Sequence, residues 1–133
     1  MEKASTQKCE AVKMSKKVLV VDTEGDTIES IKSVLEDNGY EVVSAYSGVE
    51  CLRKALEEKP DLVLVDTMMP DLSGWDLHNK LKKKDRDIKV AFLSVIELSN
   101  ERREKLLLCG LSDYIKKPFT ADELLERVDR ILA

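Results

Sequence analysis

The chain has 133 residues, 43% of them hydrophobic and 36% charged, with a formal net charge of −4. That length suits a single domain with a real core, and that composition excludes a disordered chain. Residues 1–17 carry five lysines and two glutamates, hence +3, which leaves −7 on the remaining 116 and argues against direct nucleic-acid binding.

No apolar run approaches the roughly 18 residues of a membrane span, so no membrane insertion is expected, and no signal peptide is visible. Cys9, Cys51 and Cys109 cannot all pair and form no CxxC, which points to reduced thiols and a cytoplasmic setting. Cys51 and Cys109 fall in helical patterns and read as packing residues.

Residues 1–16 lack a strong period and read as a flexible N-terminal extension. A short helix over Cys9–Met14 and a basic docking arm are the other readings. Val18-Leu19-Val20-Val21-Asp22 reads as a buried strand ending in an acid. Asp26-Thr27-Ile28-Glu29 resembles a capping box, followed by a helix face of Ile28, Ile31, Val34 and Leu35. Asn38-Gly39 ends that helix. Tyr40–Ala45 is the second strand. Ser47-Gly48-Val49-Glu50 reads as another capping box, opening a helix with Val49, Leu52, Ala55 and Leu56 inward and Pro60 beyond its end.

Leu62-Val63-Leu64-Val65-Asp66 is the central strand, apolar throughout and ending in an acid. Pro70, Asp71, Ser73 and Gly74 supply turn chemistry after it. The next helix uses Leu77 and Leu81, with Trp75 or His78, and closes on Lys82-Lys83-Lys84, a solvated end favoured by the helix dipole. His78, the single histidine, has no metal-ligating cluster or nucleophile partner in the sequence pattern and reads as a helix residue. Ile88–Ser94 is the fourth strand. A helix from about Ser99 to Cys109 stops at Gly110, and Ser112–Lys116 is the fifth strand. Thr120-Ala121-Asp122-Glu123 is a third capping box. Leu124, Leu125, Val128, Ile131 and Leu132 make the last helix amphipathic.

The alternation predicts an α/β fold: a (βα)5 doubly wound parallel sheet of order 2-1-3-4-5, a flavodoxin-like three-layer sandwich. In such a sheet Asp22, Asp66, Ser94 and Lys117 all reach one edge, where ligands bind. Two acids, a hydroxyl and a lysine suit phosphoryl transfer. Carboxylates hold Mg²⁺, one carboxylate can become an aspartyl phosphate, and lysine and hydroxyl neutralise the phosphoryl oxygens. Taken singly, Asp22 could cap a helix, Ser94 could simply finish a strand, Tyr114 could be plain core, and Asp66 and Lys117 could be loop and surface residues.

The pieces Val18–Asp22, Leu64–Pro70, Gly74, Leu93-Ser94, Gly110, Asp113-Tyr114 and Lys116–Phe119 together resemble the receiver domain of two-component response regulators, of the chemotaxis-regulator type. The resemblance covers residues 17–133. It implies that Asp66 is the phosphoacceptor, that Asp22 holds Mg²⁺, and that Met68 lends its backbone carbonyl to the metal. It implies that Lys117 contacts the phosphoryl group, with a cis Lys117–Pro118 peptide. Ser94 and Tyr114 would form the switch pair, and the fourth helix, fifth strand and fifth helix the output face. It also implies a histidine kinase or phosphotransfer protein upstream, an unidentified protein downstream, and a homodimer as one assembly. Such a chain is not an enzyme in the ordinary sense, since it phosphorylates and slowly dephosphorylates its own aspartate. Ending at Ala133, it would signal by binding or in a relay, without an attached effector.

Three departures stand out. Thr23 occupies the place of the family's second acid; Glu24 or a Thr23-held water is the expected substitute. Val95 and Leu111 replace small residues, and the segment from Ser94 to Lys117 is one residue longer than usual, which would alter the output loop. These changes raise a second reading, a degenerate receiver that binds proteins independently of phosphate. A flavin-binding or hydrolytic enzyme on the same fold is a third; the chain lacks a Gly-rich loop after its first strand and an Asp-x-Asp after a strand.

Overall fold

The structure is a computed structural model that describes residues 16–133. The expectations for residues 1–15, Cys9 and a short N-terminal helix included, lie outside the described residues. Within them the chain alternates β1 (Lys17–Val21), α1 (Gly25–Asp37), β2 (Glu41–Ala45), α2 (Gly48–Glu58), β3 (Leu62–Asp66), α3 (Gly74–Lys84), β4 (Lys89–Ser94), α4 (Asn100–Leu108), β5 (Asp113–Lys116) and α5 (Ala121–Leu132). Three strands, β2, β4 and β5, begin one residue later than their patterns suggest. The strands form one parallel sheet in the order β2-β1-β3-β4-β5, as expected.

Alternation along each strand sends side chains to both faces, and both faces are covered. On one, Leu19, Val21, Val63, Val65, Val90 and Phe92 pack with Cys51 of α2 and with Leu77 and Leu81 of α3. On the other, Val18, Val20, Leu62, Leu64, Leu93 and Ile115 pack with Ile28, Ile31 and Leu35 of α1 and with Leu124 and Val128 of α5. The central strand is therefore apolar on both sides, which is why it reads as a continuous run rather than an alternating one.

Ser47, Ser73, Ser99 and Thr120 each accept an N–H from the first turn of the helix they precede. At Thr120 the reciprocal bond from Thr120 N–H to Glu123 is also present, completing the expected box. At Ser47 the box is half made: Glu50 instead accepts from the N–H of Tyr46. The expected box at Asp26 is absent. Asp22 accepts the Glu24 N–H through Oδ1 at 3.0 Å, which turns the chain early, so α1 begins at Gly25 with Glu24 as its cap. Gly39 (φ +92°) and Gly110 (φ +105°) end α1 and α4 in the left-handed region, where a missing Cβ removes the steric penalty. Lys59 adopts a left-handed cap at the end of α2, just before Pro60.

Three expectations about side-chain surroundings are corrected. Val49 and Leu56 are 66% and 54% exposed, and the inner face of α2 is Gly48, Cys51, Leu52 and Ala55. The reason is Gly48, which lies so close to Leu72 that a Cβ there would stand 2.7 Å from Leu72 Cδ1; that approach fixes the roll of α2. Cys109 is exposed rather than packed, because α4 contributes no fully buried residue. Nor is Lys82 simply solvated: its ammonium donates to the carbonyl of Ile88.

Candidate phosphoryl-transfer site

The strands deliver their terminal residues to one edge. Asp22 follows β1 and is wholly buried; Asp66 ends β3 and is 7% exposed. Lys117 arrives from the turn after β5, through a cis Lys117–Pro118 peptide. Its Nζ lies 3.0 Å from Asp22 Oδ2 and 3.7 Å from Asp66 Oδ2. The sheet thus joins residues 95 positions apart in the chain.

Burial is the main cause that pushes the Asp66 carboxyl above the ordinary carboxylate range. The Met68 N–H, bonded to Asp66 Oδ1 at 3.0 Å, opposes this, as does Lys117, while the charge of Asp22 adds to it. Two carboxylates share one ammonium, so the cluster is short of positive charge. Hard carboxylate oxygens in a partly desolvated, net negative cluster fit a small divalent cation. Among the described residues no third acid, histidine or cysteine joins them in a metal-holding group. Thr23 and Glu24 are exposed, and the Glu24 carboxylate accepts from Thr27 Oγ1 at 3.4 Å. Glu24 is therefore not gathered with Asp22 and Asp66 in the place Thr23 leaves.

Ser94 is 1% exposed at the end of β4. Its Oγ accepts from Thr67 Oγ1 at 2.9 Å and from the Ile96 N–H at 3.1 Å. Tyr114 is buried, and its hydroxyl donates to the Ile96 carbonyl at 2.6 Å. The two expected switch residues thus meet at the backbone of Ile96. Val95 beside them is 59% exposed, and Leu111 is core.

Two residues of this neighbourhood make contacts that the sequence reading misses; it gives Asp71 only as a turn residue. Asp71 accepts the N–H groups of Gly48 and Val49, both at 3.1 Å, which hold its carboxyl below the ordinary range and tie the loop after Asp66 to α2. Thr67 touches Ser94 only because β3 and β4 pair in parallel register; its place next to Asp66 was the available signal.

The profile of the response regulator receiver domain family matches residues 18–129. This chain belongs to that family. The transcriptional regulatory protein PrrA of Mycobacterium tuberculosis is 39% identical over 118 residues, which are 89% of this chain and 50% of that protein. The alkaline phosphatase synthesis transcriptional regulatory protein PhoP of Bacillus subtilis is 37% identical over 121 residues, 90% of this chain and 49% of that protein. The chain spans about half the length of these curated relatives. Among solved structures, a chemotaxis response regulator of Vibrio cholerae matches with TM-score 0.80 at 28% identity, covering 89% of this chain and 99% of that one. A response regulator receiver domain protein of Methanospirillum hungatei matches with TM-score 0.80 at 33% identity, covering 89% and 94%. Receiver domains take a phosphoryl group onto an aspartate of their own, bind Mg²⁺ at that site, and interact with histidine kinases and downstream effectors. Among the described residues no helix is long and apolar enough to cross a membrane.

Proposed function

We propose that Asp66 is the phosphoacceptor of this receiver domain and that Lys117 and Asp22 complete its reacting centre. The observation that carries this reading is the Lys117 ammonium held 3.0 Å from Asp22 and 3.7 Å from Asp66 at the carboxyl edge of the sheet. An Asp66 carboxylate oxygen attacks phosphorus, and the P–N bond of a phosphohistidine on a kinase or phosphotransfer protein breaks. The electron pair stays with the histidine nitrogen. Lys117 neutralises charge that gathers on the phosphoryl oxygens. Asp22, Asp66 and the Met68 carbonyl would hold Mg²⁺, which supplies further neutralisation of those oxygens.

Ser94 and Tyr114 then carry the state outward. Leu108, 87% exposed at the end of α4, and Ile96, 48% exposed before its start, are apolar side chains open to a downstream protein, or to a second copy of the chain. The acidic described body favours a protein rather than a nucleic acid as the direct partner, and the site of action is the cytosol.

The test is intact mass after incubation with Mg²⁺ and acetyl phosphate. A gain of one phosphoryl group, lost in Asp66→Asn and without Mg²⁺, supports the reading. No gain from a folded wild-type chain sinks it in favour of a phosphate-independent binding module, for which the exposed Thr23 in place of a second acid is the motive.

A further inference from the structure

We infer that Thr67 is a positioning residue for phosphoryl transfer: its hydroxyl donates to Ser94 Oγ and so directs the Ser94 proton to an oxygen arriving on Asp66. This rests on the reading of Asp66 as phosphoacceptor.

The register brings the two hydroxyls together. Asp66 pairs with Leu93 across β3 and β4, and the Thr67 N–H continues the ladder to the Leu93 carbonyl at 3.1 Å. Residues opposite one another in register project to the same face, so Thr67 and Ser94 stand side by side, 2.9 Å apart at their oxygens. A serine hydroxyl has two acceptor sites and one proton. Thr67 fills one site and the Ile96 N–H the other. With Thr67 as the donor of the bond between the two hydroxyls, the Ser94 proton has no acceptor among the described residues, and the residue is only 1% exposed. What such a hydroxyl has left to do is donate. A phosphoryl oxygen is a strong acceptor, and a hydroxyl that accepts one bond donates a stronger one.

The threonine is itself fixed. Its Cγ2 lies 3.3 Å from where a Cβ on Gly74 would stand, so the methyl group is set against the start of α3 and the hydroxyl turns toward β4. Threonine thus does two things here: the methyl holds the rotamer and the hydroxyl supplies the bond.

The experiment follows the initial rate of Mg²⁺-dependent phosphoryl gain from acetyl phosphate by intact mass. Thr67→Val keeps the shape and removes the donor; its rate is expected to fall about fivefold, the factor conferred by one hydrogen bond of ordinary net strength. Thr67→Ser keeps the donor and is expected within about twofold of wild type, since the bond is retained. In a Ser94→Ala background Thr67→Val is expected to change nothing further, because Thr67 acts through Ser94. An unchanged or faster Thr67→Val overturns the proposal. So does a Thr67→Ser as slow as the valine variant, or a fivefold loss that persists without the Ser94 hydroxyl. A wild-type chain that gains no phosphoryl group overturns the phosphoacceptor reading and this one with it, whereas the other outcomes count against Thr67 alone.

Discussion

Lys117 donates to Asp22, a carboxylate with no solvent exposure, at 3.0 Å, and does so from 95 positions further along the chain. Removing the ammonium leaves two buried acids facing each other without a cation. Lys117→Met is expected to lower the rate of phosphoryl uptake roughly a hundredfold or more, as loss of a preorganised charge at a reacting centre does. Its midpoint in urea is also expected to fall, because an unpaired buried charge remains. Parallel mass and denaturation measurements check both.

Glu24→Gln is expected to bind Mg²⁺ as wild type does, within about twofold, since the Glu24 carboxylate is exposed, accepts from Thr27 Oγ1, and does not join Asp22 and Asp66 in a metal-holding group. Asp22→Asn is expected to lose binding at least tenfold, the effect of removing one of few charged oxygen ligands. Calorimetric titration of both variants decides it. A loss in Glu24→Gln equal to that in Asp22→Asn would return Glu24 to the metal.

Gly48→Ala sets a helix-propensity gain of about 1 kcal/mol against a clash. The new Cβ would sit 2.7 Å from Leu72 Cδ1 and 2.9 Å from Leu72 Cβ, and the second atom cannot swing away. Overpacking of this kind costs about 1–3 kcal/mol, so the variant is expected to be less stable. Leu72→Ala in the same chain is expected to recover part of the loss. Urea unfolding of the two single variants and the double variant gives the coupling.

His78 is buried, stacked on Trp75 at 4.6 Å between ring centres, and neither ring nitrogen has a hydrogen-bond partner. Asn79 and the backbone of Gly110 stand near it without closing a bond. Burial is the main cause that lowers its pKa below the usual 6.5. A lowered histidine contributes stability that is fully present above the unfolded pKa and lost as pH falls through the folded one. His78→Phe is therefore expected to flatten the stability profile below about pH 6.5. At neutral pH it is expected to match or exceed wild type by about 1 kcal/mol, since two unsatisfied nitrogens go. Unfolding curves across that range test it.

The fold was legible because each strand is a run of apolar residues between turn residues, and a five-fold repeat of strand and helix has few ways to close. The edge residues Asp22, Asp66, Ser94 and Lys117 were legible for the same reason: each stands at or just past a strand end. What stayed hidden depends on contacts between elements. The roll of α2 follows from Gly48 against Leu72, which no helical period encodes, so Val49 and Leu56 looked like core. The early start of α1 follows from Asp22 binding the Glu24 N–H, a local bond that outcompeted the capping pattern at Asp26. Thr67 needed the β3–β4 register, and Cys109 needed the knowledge that α4 contributes no fully buried residue, only Leu106 partly buried against the core.

Asp71 holds the first amides of α2, and Leu72 presses against Gly48, so the loop following Asp66 is moored to a neighbouring crossover as well as to the one it opens, where Ser73 caps α3. The amides of Gly48 and Val49 become a remote gauge of the loop: their hydrogen exchange reports how firmly the mooring holds, at a distance from the reacting oxygens themselves.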